Sequence, residues 1–356
     1  MLVLETTIAL VITIGVLVVA HEWGHFIVSK LLGVRVEEFA FGFGPRLATL
    51  AKRGDTEYTI HAVPLGGFNK LAGMEPGEGE DDPQGYNAQP IWKRFLIVFA
   101  GPFMSFLLAY VVFCAMGATL GLPSDVQNAI EKVSRNSPAA RAGLRPGDRI
   151  VAIDGERIRH GLDLQGIVHR NADKELVLKV RRGTRTLTIS ATPRLQTLGK
   201  QKVGLLGVQL TASERKKYGV VGSIVRGSQM TAFLVQETFD TFTSREKLGN
   251  VGGVVAIARI TADAVDIDRV RDRLFALVLQ GAMLSLTLAL INALPWPILD
   301  GGHILLLLIE FIRGGRKLTV RQMQMFQAFG LATLLALVAL LFYVDITRWV
   351  TGTPLG

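Results

Sequence analysis

Four stretches of the chain stay apolar for longer than a soluble helix of ordinary length requires. Residues 8–20 carry no charge, and their apolar pattern continues through His21, Glu22 and His25 to Leu32. Residues 95–123, 274–299 and 326–344 are uncharged throughout. A bilayer core takes about 20 residues of helix, so each stretch predicts a transmembrane span, the first being interrupted by polar residues. A signal peptide is a poor account of that first stretch, because no Lys or Arg precedes it and no small-residue cleavage site closes it. The spans expected are 1–32, 95–123, 274–302 and 326–346, with connecting segments at 33–94 and 303–325 and a tail at 347–356.

Between the second and third spans the pattern changes. Ser137-Pro-Ala-Ala-Arg-Ala-Gly-Leu-Arg-Pro-Gly-Asp-Arg-Ile-Val-Ala-Ile-Asp-Gly155 is turn chemistry followed by an alternating strand. Residues 175–181 and 186–192 alternate on either side of Gly183, and Gly204 and Gly207 bracket a short apolar strand within 202–210. This predicts a folded domain over 124–212. A linker follows over 213–273, with an amphipathic helix near 220–242. Segment 33–94 also has strand character: residues 57–63 alternate and Pro64-Leu-Gly-Gly67 turns the chain.

Composition agrees with a membrane protein. Hydrophobic residues make up 49% and charged residues 19% of 356, and mean hydropathy is +0.36. The net charge of +9 has no basic-aromatic motif behind it, so nucleic acid is not an expected partner; the lipid bilayer is. Basic residues collect in segment 33–94 (Lys30 at its edge, then Arg35, Arg46, Lys52, Arg53, Lys70, Lys93, Arg94) and in 303–325 (Arg313, Arg316, Lys317, Arg321). The positive-inside rule puts those two segments in the cytoplasm, and the termini and the insert outside. One cysteine, Cys114, excludes an internal disulfide.

The chemistry collects at two span ends. In His21-Glu-Trp-Gly-His25 the histidines are four apart, so on a helix both project from one face and can share Zn²⁺, with Glu22 beside them as a proton acceptor. Catalytic zinc takes three protein ligands. Asp300 in Asn292-Ala-Leu-Pro-Trp-Pro-Ile-Leu-Asp-Gly-Gly302 supplies the third: spans one and three run in the same direction, so their ends lie at similar depth. His61, His160 and His169 have strand or insert contexts that favour surface or packing roles. His303, close to Asp300, is read either as a residue supporting the metal ligands or as an interfacial polar residue, and Ser105 receives no role.

These motifs, with Phe41-Gly-Phe-Gly-Pro45, Pro64-Leu-Gly-Gly-Phe68 and Gly101-Pro102, resemble the site-2 protease family of intramembrane zinc metalloproteases, in its bacterial regulator-of-sigma-E protease branch. The resemblance implies a polytopic α-helical membrane protein of about four transmembrane helices, with a cytoplasmic β-hairpin loop and an extracytoplasmic PDZ-like domain. It implies His21, His25 and Asp300 as Zn²⁺ ligands and Glu22 as the catalytic base. Asn292 resembles the family's substrate-holding asparagine. Gly66, Gly67 and Phe68 resemble its membrane-facing β-loop, and Gly204 and Gly207 the peptide-binding loop of a single PDZ domain. The expected activity is cleavage of single-span transmembrane proteins, such as anti-sigma factors or signal-peptide remnants, in regulated intramembrane proteolysis at the bacterial inner membrane. The alternative is a non-catalytic PDZ-bearing scaffold with a structural zinc site.

Overall fold

The first apolar stretch forms helix α1, Leu2–Leu31, with no proline to interrupt it. The helix runs unbroken through His21 and His25, which places their side chains one turn apart on one face. Past α1 the chain forms two long strands, β1 (Val36–Arg53) and β2 (Thr56–Leu71), paired antiparallel around Gly54. Gly42 and Gly44, at φ +92° and +84°, bend β1. Phe41 consequently partners both Ile60 and Gly67, and Ala40 both Thr59 and Phe68. The start of β1 thus lies between two segments of β2. Residues 67–71 form an edge that no further strand among the described residues covers. Described here, in a computed structural model, are residues 2–75, 77–79, 81–123, 128–158, 161–198, 201–210, 215–243 and 254–351. His160 lies outside them.

Helix α2, Ile91–Thr119, packs against α1 at backbone distance: a Cβ on Gly24 would sit 2.3 Å from the Ala100 carbonyl oxygen. Small residues allow such approaches between membrane helices. Pro102 removes one rung from the middle of α2, since it has no N–H for the Val98 carbonyl. Phe26, Val34, Val36, Leu71, Tyr86, Ile97 and Val98 form the buried cluster beneath the sheet.

Residues Thr119–Tyr218 form a separate unit. Its sheet has the order β6-β5-β7-β8, built from Arg149–Ile153 (β5), Glu156–Arg157 (β6), Leu176–Arg182 (β7) and Arg185–Ala191 (β8). Two-stranded pairs join Leu122–Pro123 (β3) to Arg215–Lys216 (β12), Ile130–Val133 (β4) to Val208–Leu210 (β11), and Arg194–Leu198 (β9) to Gln201–Leu205 (β10). Helices α3 (Pro138–Arg141) and α4 (Gly161–Arg170) complete it. Ser137 caps α3, and the alternation seen in sequence buries Leu176, Leu178 and Val180 in this unit's own core. Arg182 grips both oxygens of the fully buried Asp148, and this contact holds the Asp148 carboxyl below the usual carboxylate range.

The chain then returns through helices α5 (Val220–Thr243), α6 (Val254–Val265), α7 (Val270–Asn292), α8 (Asp300–Ile312) and α9 (Val320–Thr351). Four helices are long and apolar enough to cross a membrane: α1, α2, α7 and, in α9, Val320–Leu340. The third apolar stretch is split, because Pro295 and Pro297 cannot continue α7 and Asp300 opens a new helix. Helix α5 covers the segment expected to be an amphipathic helix. Ser223, Gly227, Thr231 and Leu234 are buried against the other helices, while Val220, Val221, Ile224 and Val225 point outward.

A buried ion pair locks α2 to α8. Arg94 and Glu310 are bidentate, at 2.5 and 3.0 Å, with side chains 6% and 9% exposed. Glu310→Ala leaves the guanidinium buried and unpaired, and should cost about 3–5 kcal/mol. The double variant Arg94→Leu/Glu310→Leu should recover most of that loss in a thermal melt in detergent.

Candidate active site

The three candidate ligands converge although they come from helices far apart in sequence. His21 Nε2 lies 3.1 Å from Asp300 Oδ2, His25 Nε2 lies 3.5 Å from Asp300 Oδ1, and the two Nε2 atoms are 3.4 Å apart. One donor atom from each falls within 4.8 Å of the other two. Two nitrogens bound to one tetrahedral zinc, each at about 2.0–2.1 Å, are themselves about 3.4 Å apart, so the observed spacing fits that ion.

The outward-facing nitrogens fit as well. His21 Nδ1 is 3.0 Å from Ser105 Oγ, and His25 Nδ1 donates to the Ile97 carbonyl at 2.8 Å. With each Nδ1 engaged, each Nε2 is directed to the shared site, as in metal-bound histidines generally. Asp300 Oδ2 is buried with no hydrogen bond. A buried carboxylate oxygen in that state is costly unless a cation faces it. The donor set, two imidazoles and a carboxylate, is that of catalytic zinc.

Local sequence explains the placement. Asp300 sits in the first turn of α8, where the helix dipole favours a carboxylate. Gly301 and Gly302 lie so close to the carbonyls of Leu294 and Trp296 that a Cβ on either would meet them at 2.1 Å. Only glycine lets the chain fold back tightly enough to present Asp300 to α1. Gly101 is equally constrained: a Cβ there would lie 2.2 Å from His25 Nε2.

A cavity of about 470 Å³ opens on the three donors. Glu22, Gly66, Gly67, Phe68, Asn69 and Asn292 also line it. It therefore brings together every site residue expected from sequence except Gly204 and Gly207, which belong to the strand-rich unit. There Gly204, in β10, packs on the Val168 carbonyl of α4, and Gly207, at φ +74°, packs on Ser137. His303 lines a different, smaller cavity with Arg94 and Glu310. His61 is buried in β2, bonded to the Gly44 carbonyl and facing Glu38. His169 lies in α4.

Two residues with no assigned role turn out to touch the site. Ser105 is fully buried against His21, and Ser285 of α7 in turn donates to the Ser105 carbonyl at 2.8 Å. A signal for it exists: Gly101 and Ser105 are one turn apart on α2, as His21 and His25 are on α1. Asn69 donates from Nδ2 to the Glu22 carbonyl at 2.7 Å and to Glu22 Oε2 at 2.8 Å.

The model for Peptidase family M50 matches residues 9–337. A Brucella suis protein provisionally named a zinc metalloprotease is 33% identical over 338 residues, covering 88% of each chain. The regulator of sigma-W protease RasP of Bacillus subtilis is 29% identical over 429 residues, covering 97% of this chain and 99% of its own. Among solved structures, the PDZ domain of an SdrC-like protein from Listeria innocua is similar to 25% of this chain and 98% of its own, at 20% identity and a TM-score of 0.22.

Proposed function

The chain belongs to peptidase family M50, a zinc metalloprotease of the site-2 type, and from that premise we propose that it cleaves single-span membrane proteins inside the bilayer. The observation that carries this reading is one cavity holding both the His21–His25–Asp300 cluster with Glu22 and an uncovered strand edge at residues 67–71. His21, His25 and Asp300 hold the zinc. When bound, zinc polarises the scissile carbonyl and makes water acidic enough to attack near neutral pH. Glu22 accepts the proton of the attacking water and delivers it to the leaving amine. The cleaved segment, unwound, adds as a strand to the β2 edge. Backbone hydrogen bonds there accept many sequences, and Gly66 and Gly67, packed on Phe43 and on the Ala40 carbonyl, hold that edge in place beside the cavity. Asn292, which lines the same cavity, holds the substrate backbone. Sigma-factor regulators and signal-peptide remnants are substrates of this form.

The test is purified protein with zinc, incubated with tagged single-span substrates. A product cut within the span, lost with chelator and restored by zinc, is expected; cleavage confined to soluble tails would refute the reading.

The basic segments set the orientation: β1 and β2 on the cytoplasmic side with the site, and the termini and strand-rich unit outside. Single cysteines near Lys52 and near Arg181, on a Cys114→Ala background, are expected to react with an impermeant reagent from opposite faces. Labelling from one face only would overturn the assignment.

An extracytoplasmic PDZ-like unit cannot lend a catalytic group to such a site, so its contribution is to binding or access, and we propose access; Gly204 lies in β10, and Gly207, at φ +74°, just after it. Deleting that unit should preserve cleavage of a substrate with a short outer tail and newly permit cleavage of one that keeps a folded outer domain. A zinc-loaded deletion protein that fails on the short-tailed substrate would make the unit an obligatory binding module instead.

A further inference from the structure

The general base of the proposed reaction is held by the strand beside which the substrate would lie. Asn69 is on β2, opposite Phe39 of β1, in the uncovered edge segment. Its Nδ2 reaches two oxygens of one residue, the Glu22 carbonyl at 2.7 Å and Glu22 Oε2 at 2.8 Å. Both are acceptors, so the amide nitrogen must face them and the carboxamide has one orientation. That leaves Asn69 Oδ1 buried with no partner among the described residues. An apolar residue of the same size would fill the position without that penalty, so packing does not explain an asparagine here; the two donated bonds to Glu22 do.

The strand is also fixed against the helix. A Cβ on Gly67 would lie 2.7 Å from the Ala40 carbonyl oxygen, 3.1 Å from Val18 and 3.5 Å from Glu22 Cγ. Backbone contact at Gly67 and a two-pronged side-chain contact at Asn69 set the distance between the β2 edge and Glu22.

We propose that Asn69 is a positioning residue: it sets the rotamer of Glu22 and ties that setting to the strand that receives substrate. The proposal rests on the peptidase reading, in which Glu22 is the base. It implies that Asn69 acts on turnover, through Glu22, more than on substrate affinity or metal binding.

The experiment measures kcat, KM, zinc content and melting temperature for Asn69→Ala and Asn69→Asp, each also combined with Glu22→Asp, with Glu22→Gln as reference. Asn69→Asp keeps the shape and replaces the donating nitrogen by a carboxylate oxygen, so a purely structural role predicts it to be the milder change. The proposal predicts the reverse. Asn69→Ala should lower kcat about 10-fold, within the range for residues that orient a reacting group, and Asn69→Asp about 100-fold. Zinc content and KM should stay near wild type. In the Glu22→Asp background, where the shorter carboxylate no longer reaches Asn69, Asn69→Ala should change kcat less than about threefold, a coupling that only direct contact gives. The proposal is overturned if the kcat losses are equal in both backgrounds, if only KM moves, or if zinc is lost with the side chain. Should Asn69→Ala not fold, the near-isosteric Asn69→Asp carries the comparison. A Glu22→Gln protein that still cleaves would instead sink the peptidase reading, whatever the Asn69 variants do.

Discussion

Glu22→Gln is expected to bind a full complement of zinc and to lose about 10²–10⁴-fold in kcat, the range for a general base in proton transfer. The amide keeps the size and the contact with Asn69 but cannot take a proton. His21→Ala, His25→Ala and Asp300→Ala should behave differently, losing metal and activity together, because each removes one of three donors that lie within 4.8 Å of one another. Metal analysis separates the two classes. Stoichiometric zinc in Asp300→Ala would remove Asp300 from the ligand set, and zinc loss in Glu22→Gln would move Glu22 into it.

The second large effect is expected from a methyl group. Gly101→Ala places a Cβ 2.2 Å from His25 Nε2, 2.5 Å from His25 Cε1 and 2.9 Å from His21 Cε1. The His25 ring cannot swing aside cheaply: Nδ1 is anchored on Ile97, and the His21 ring meets it edge-on at 5.0 Å between centroids. The ring must leave its anchor or the helices must part, and either spoils the geometry shared with Asp300. Gly101→Ala should therefore weaken zinc binding by at least about 100-fold, the upper end of what lost ligand orientation costs. Gly117→Ala is the control. It sits on the same helix, and the nearest atoms to its added Cβ are those of Ser223, at 3.2–3.3 Å. Competition against a chelator of known affinity gives both values. Zinc affinity unchanged in Gly101→Ala would mean that α1 and α2 separate more easily than their contact at Gly24 implies.

The convergence of the three candidate ligands was legible in sequence because helical periodicity carries it. His21 and His25 announce a shared face by spacing alone, and the common direction of spans one and three brings Asp300 to their depth. Ser105 and Asn69 were not, because each acts across a fold: 84 residues separate Ser105 from His21, and 47 separate Asn69 from Glu22. The one-turn spacing of Gly101 and Ser105 marks a shared face of α2, but nothing local says which helix that face meets. The long strand β1 is not legible either, since its glycines break the alternation that marks a strand and instead supply the bends at Gly42 and Gly44. For α5, apolar spacing predicted the helix but not its facing, because periodicity alone does not say which side packs on the other helices.

The contact between α5 and α2 leaves the chain with a reporter of its own. Its single cysteine, Cys114, lies on α2 directly under Gly227 of α5, where a Cβ would approach the sulfur to 2.5 Å. No other thiol competes, so the alkylation rate of the unmodified protein by a membrane-permeant maleimide follows how closely α5 covers the half-buried Cys114 on α2. Slow reaction at rest and faster reaction as a substrate enters would time the opening of the helix pair, without introducing a foreign residue.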